Sequence, residues 1–161
     1  MVFNLAGAEA ERKATVGVSV RSVEESKFPF IGQTGLSASL ETLCSNGVRS
    51  PIYAADSSVQ AIYVVSGSGR VEIVGFNGVK MVAGVKVGHL LVVPKYFVIG
   101  KEAGEDGMEC FSIVTNLRPV IEELAGKASV WEALSEEVLQ VSFNVSADFE
   151  KMFISKAANS N

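Results

Sequence analysis

The sequence is poor in the residues that chemistry at a buried site most often needs. Its 161 residues include one histidine, two cysteines and one tryptophan. One imidazole cannot supply the donor set that a divalent transition metal asks for. A Ser-His-Asp group would need His89 beside a nucleophile, whereas "GHLLVV" sets it between a glycine and an apolar strand, as a surface or strand-edge residue. Cys44 and Cys110 cannot make a disulfide framework, and neither has a histidine at motif spacing, so both read as buried thiols. Apolar runs are short, and none reaches the about 18 uncharged residues of a membrane span. The opening stretch "MVFNLAGAEAERKATVGVSV" has no basic start leading into an apolar run, so no signal peptide is expected, and a complete chain would be cytoplasmic. The 14 basic residues are scattered against 18 acidic ones, for a net charge of −4. A nucleic-acid partner would need them clustered.

What is present is a strand rhythm. Apolar residues make up 48% of the chain and charged residues 20%, which fits one globular domain with a sizeable core. From Thr15 to Thr115 the chain is rich in Val, Ile, Tyr and Phe and is cut by Gly, Asn and Ser at short intervals, as in an antiparallel sandwich or barrel. "GLSASLETLC" alternates. "AIYVVSG" and "RVEIVG" flank Gly-Ser-Gly, read as a hairpin turn. Asn77-Gly78 is a second and stronger hairpin signal. "HLLVVPKYFVIG" is almost wholly apolar, so both its faces are expected to be covered. "EAGEDGME" is too short for a calcium loop and reads as a solvated turn. Beyond residue 117 the period changes to three and four. Ser135 and Ser146 look like helix N-caps, each followed by acidic residues and then apolar ones.

The spacing of glycines and prolines resembles the two motifs of the cupin superfamily. In the first motif two histidines and a glutamate lie between flanking glycines. Here Gly47 and Gly67 are in place, while the ligand positions fall on Tyr53, Ala55 and Gln60. In the second motif Gly88 and Pro94 are in place, the next glycine falls on Tyr96, the histidine on Ile99 and the asparagine on Ala103. A methyl, a sec-butyl chain, an amide and a protonated phenol make a poor chelate at neutral pH, so no metal and no cofactor are expected.

A second resemblance covers about Gly17 to Phe153. "YVVSGSGRVEIVG", "GHLLVVPKYFVI", "EAGEDGMECFSIVTN" and "LAGKASVWEALSEEVL" run in the order found in the C-terminal half of plant legumin-type (11S) seed globulins and glutelins. That resemblance implies an all-β fold: a cupin double-stranded β-helix, or jelly-roll, barrel with a C-terminal helical arm. The expected organisation is an N-terminal extension over 1–14, the barrel over 15–117, the arm over 118–156 and a disordered tail over 157–161. It also implies a non-enzymatic, metal-free role as nutrient reservoir or scaffold through a homo-oligomer, trimer-like through the arm, or through pairing with a second cupin half. Trp131, Leu134, Leu139 and Phe143 are the expected assembly contacts on the arm. No nucleic acid or membrane partner is implied, and a fragment of a secreted precursor would lie in a vacuole or storage body. The rival reading is a small-molecule-binding barrel with Tyr53, Gln60, Tyr63 and Tyr96 around its cavity. A metal enzyme of the oxalate-oxidase or isomerase kind is a third, weaker one.

Overall fold

The structure is a computed structural model that describes residues 2–10, 17–125 and 129–158. Its strands are β1 (Val18–Val23), β2 (Ser37–Leu43), β3 (Val48–Ala54), β4 (Gln60–Val74), β5 (Lys80–Lys86), β6 (Leu90–Val93), β7 (Val98–Val114) and β8 (Ile121–Glu123). A short helix, α1 (Pro29–Gly32), lies between β1 and β2, and α2 (Val130–Ala133), α3 (Glu136–Phe143) and α4 (Ala147–Ala158) follow the strands.

Two long strands organise everything else. β4 and β7 run antiparallel and pair along nearly their whole lengths. The C-terminal part of β7 also pairs with β2, which pairs with β1, and the N-terminal part of β4 pairs with β6. The N-terminal part of β7 pairs with β3, which pairs with β8, and the C-terminal part of β4 pairs with β5. The two long strands thus belong to two leaves at once, and they bend where they pass from one to the other. The bend carries two register shifts, between Val64 and Ser66 and between Gly67 and Gly69.

Glycine is required at this bend. Gly67 has φ +73°, and a Cβ there would lie 2.1 Å from the carbonyl oxygen of Gly107, itself at φ +74°. The sequence reading of Gly-Ser-Gly as a hairpin turn is therefore corrected. The glycines let one strand continue round a corner, and they do so by closeness of backbones. The hairpin forms one step later, where Asn77 (φ +57°) and Gly78 (φ +74°) both take left-handed conformations and Val74 faces Lys80 across the turn.

Other expectations shift in the same way. "EAGEDGME" lies inside β7, not in a solvated turn, because its glycines carry that strand round the same corner. β6 is only four residues long and alternates, with Leu91 and Val93 inward and Leu90 and Val92 outward and exposed, so only one face of it is covered. Residues 121–123, expected within the helical arm, pair with β3 as β8 because Ile121 fits the apolar wall there. Ala157 and Ala158, expected in a disordered tail, continue α4, while 159–161 lie outside the described residues, as do 11–14 of the expected N-terminal extension. Cys110 is buried, but Cys44 is exposed because it follows the end of β2, at the turn into β3.

The apolar core fills the space between the leaves. Leu43, Ile62, Val64, Val71, Ile73 and Ile99 are its centre, all at most a few per cent exposed. Burial of side chains of this size stabilises the fold by about 1.5–3 kcal/mol each. Gly67→Ala is expected to cost on the order of 3 kcal/mol, by forcing a Cβ against the Gly107 carbonyl in a left-handed conformation. Urea unfolding followed by circular dichroism checks this, and an unchanged midpoint would mean that β4 and β7 do not meet so closely.

Candidate functional site

Of the four positions that the motifs assign to metal ligands, three come together inside the barrel and one does not. Tyr53, Gln60 and Ile99 meet, with Pro94 and Phe97, around a small void of about 10 Å³ inside the barrel. That is about the size of one water. Ala55 lies just past the end of β3 and is exposed. A phenol, an amide and a hydrocarbon face each other there, so the residues present do not fit a divalent ion. Among the described residues no group of three or more His, Cys, Asp or Glu could hold one.

Tyr96 explains how the second motif keeps its shape without its glycine. The backbone at Tyr96 has φ +64°, the left-handed conformation that the motif's glycine would adopt freely. The ring is 43% exposed and lies 6.4 Å from that of Phe76. Tyr63, on the outward side of β4, is 42% exposed and faces Leu90 and Phe111 on its neighbours. Neither tyrosine lines the interior, which corrects two of the four expected cavity residues: strand alternation turns Tyr63 out, and the left-handed turn does so for Tyr96.

The interior holds something the sequence reading missed. Glu41 on β2, Arg49 on β3 and Lys101 on β7 are each at most 4% exposed. Arg49 Nε lies 2.8 Å from Glu41 Oε1, and Arg49 also donates from a terminal guanidinium nitrogen to Glu123 Oε1 on β8 at 2.8 Å. Lys101 Nζ donates to Glu41 Oε2. Burial pushes the Glu41 carboxyl up, but the charges of Lys101 and Arg49, and their hydrogen bonds, outweigh it and hold the carboxyl below its usual value. Two cations and two carboxylates thus balance inside the barrel and bridge its leaves, since Glu41 comes from one and the other three residues from the opposite one. The signal was present: Glu41 and Lys101 sit at inward positions of alternating strands, where a charge is unexpected unless paired.

A cavity of about 340 Å³ opens beside this cluster, between the β1–β2 and β3–β8 sides of the barrel. Gln60 is the only expected cavity residue that lines it. Asp56 ties down its approach: one carboxylate oxygen accepts from the Ser58 amide at 2.7 Å, the other from Asn116 Nδ2 at 3.0 Å and the Val120 amide at 2.9 Å. Burial pushes the Asp56 carboxyl up, but the hydrogen bonds together outweigh it and hold the carboxyl below its usual value.

The arm is a second surface of interest. Ser135 caps α3, its hydroxyl accepting from the Val138 amide, and Ser146 does the same for Phe149 in α4. α2 and α3 both pack on α4. Phe143 lies 5.2 Å from Trp131 and 5.4 Å from Phe153, ring to ring. Leu139 is 1% exposed, so it is interior to the arm and unavailable as the assembly contact expected of it. The exposed apolar groups are instead Leu134, Val138, Val141, Phe149 and Met152, together with the edge of Phe143.

Two leaves that share two bent strands define a jelly-roll barrel of the double-stranded β-helix class. The chain belongs to the cupin family: residues 3–151 match the family described as Cupin. It is 35% identical over 130 residues to the 13S globulin basic chain of Fagopyrum esculentum, covering 80% of this chain and 66% of that one. It is 34% identical over 128 residues to glycinin G3 of Glycine max, covering 79% of this chain and 26% of that one. Among solved structures, recombinant pro-11S globulin of pumpkin superposes with a TM-score of 0.86 at 26% identity, covering 94% of this chain and 39% of that chain. The chain therefore spans only part of the length of the relatives it matches.

Glu41→Gln is expected to cost about 3–5 kcal/mol at pH 7, because Lys101 and Arg49 lose the charge that compensates them. The depressed carboxyl contributes stability that is present in full above the ordinary carboxylate value of 4.5 and is lost as pH falls through the lower folded-state value. Urea midpoints of wild type and Glu41→Gln should therefore converge on acidification below 4.5. A gap independent of pH would contradict an ionised Glu41.

Proposed function

We propose that this chain is a barrel-and-arm unit of a seed storage globulin: a nutrient reservoir that acts by assembling and carries no enzymatic activity. The observation that carries the reading is the likeness to globulin, glutelin and glycinin chains over four-fifths of the sequence. The ligand positions of the barrel support it, since they offer no general base, nucleophile or metal donor set. Its place is a storage body, as part of a longer precursor. Its partner is a further copy of itself, in a trimer-like ring, or a second cupin half.

The arm supports assembly through a simple imbalance. Val141 is 83% exposed, and Val138, Phe149 and Met152 are close to half exposed. So much apolar surface on three short helices is costly in water and gains from a neighbouring subunit. Each such side chain, once covered, contributes about 1.5–3 kcal/mol. Val141→Glu together with Met152→Glu should weaken self-association by at least about a hundredfold while leaving the β-sheet circular dichroism intact. Multi-angle light scattering across a concentration series measures this. A wild type that stays strictly monomeric at high concentration, with a protease-labile arm, contradicts assembly through this surface.

A further inference from the structure

We infer that the cavity beside the buried ion cluster is a binding site for a small neutral carbonyl compound with an apolar body, of the lactone, ketone or ester kind. Its volume of about 340 Å³ suits a molecule of on the order of ten to fifteen non-hydrogen atoms. Part of the lining is apolar, supplied by Val20 and Val114 from one leaf and by Ile52 and Ile121 from the other. The rest is rich in donors. A guanidinium carries five N–H groups and an ammonium three. Arg49 donates one to Glu123 and sets its Nε beside Glu41 as an ion pair, and Lys101 donates one to Glu41. Ser37, 4% exposed, lines the same cavity, and its Oγ has no hydrogen-bond partner among the described residues. A buried hydroxyl without a partner costs about 1–3 kcal/mol, and an acceptor in the cavity relieves that cost.

Charge decides which acceptor. Glu41 and Glu123 already balance Arg49 and Lys101, and Glu24, half-buried, adds a carboxylate to the cavity lining. A carboxylate ligand would bring an unbalanced negative charge into this space, whereas a carbonyl oxygen takes the spare donors and brings none. The ligand's oxygen accepts from Ser37 Oγ, and its carbon skeleton lies on the valine and isoleucine side chains.

The test uses the full chain with γ-octalactone as the neutral probe and sodium octanoate as its charged counterpart, followed by isothermal titration calorimetry and saturation-transfer NMR. Saturable one-to-one binding of the lactone is expected, with octanoate at least tenfold weaker. Ser37→Ala should weaken the lactone about fivefold, the loss of one hydrogen bond. Ser39→Phe, which fills the cavity from β2, should abolish binding, with circular dichroism reporting its fold. The inference is overturned by absence of saturable lactone binding, by octanoate binding equally well, or by either variant binding as wild type does. The storage reading is independent of this result, since light scattering alone decides assembly.

Discussion

The pairing of β4 with β7 sets the geometry to which every other strand is fitted. These two strands cross from one leaf of the barrel to the other, and they can do so only because their backbones touch at the bend, Gly67 against Gly107. β1 and β2 attach to one half of β7, β3 and β8 to the other, and β5 and β6 to the two halves of β4. The inward parity of both long strands changes across the corner: Ile62 and Val64 precede it on β4, Val71 and Ile73 follow it, and all four face the core. Without the extra residues taken up at the bend, half of each strand would present its polar side inward.

Sequence patterning showed the fold well and the interior poorly. Alternation, the Asn77-Gly78 turn and the capping serines at 135 and 146 are local signals, set by backbone preferences that act over a few residues. The two continuous strands were misread because glycine means a turn in most contexts. Only the approach of a second backbone, remote in sequence, shows that Gly67 serves closeness instead. Tyr96 carries the complementary lesson. Its position keeps a glycine conformation although the glycine itself is gone, so the motif survives in the path of the chain after leaving the letters.

The candidate site was legible in part. Asking where metal ligands should be gave Tyr53, Gln60 and Ile99 around one small void, with Ala55 outside it. The aromatic residues drew notice as polar handles, yet Tyr63 and Tyr96 face outward. The charged residues went unnoticed because Glu41, Arg49 and Lys101 are spread over sixty positions and no local pattern joins them. A question about inward-facing charge, strand by strand, would have found Glu41 and Lys101. It could not have paired them, since β2 and the first half of β7 lie in opposite leaves. On the arm, helical spacing found the apolar residues but not which of them the arm keeps for itself, as Leu139 shows.

The ion cluster has a consequence for how errors in folding are rejected. Hydrophobic alternation detects a slip of one residue between strands, because that turns the apolar face outward. It is blind to a slip of two. Were β2 displaced by two residues along β7, the barrel would still look properly oiled inside, but Lys101 would lose the carboxylate it donates to and Arg49 would keep Glu123 alone. Four strands each contribute one member, so any double slip among them breaks the tally of charge. The cluster thus acts as a proofreader of alignment, discriminating among misthreaded barrels that grease alone would accept.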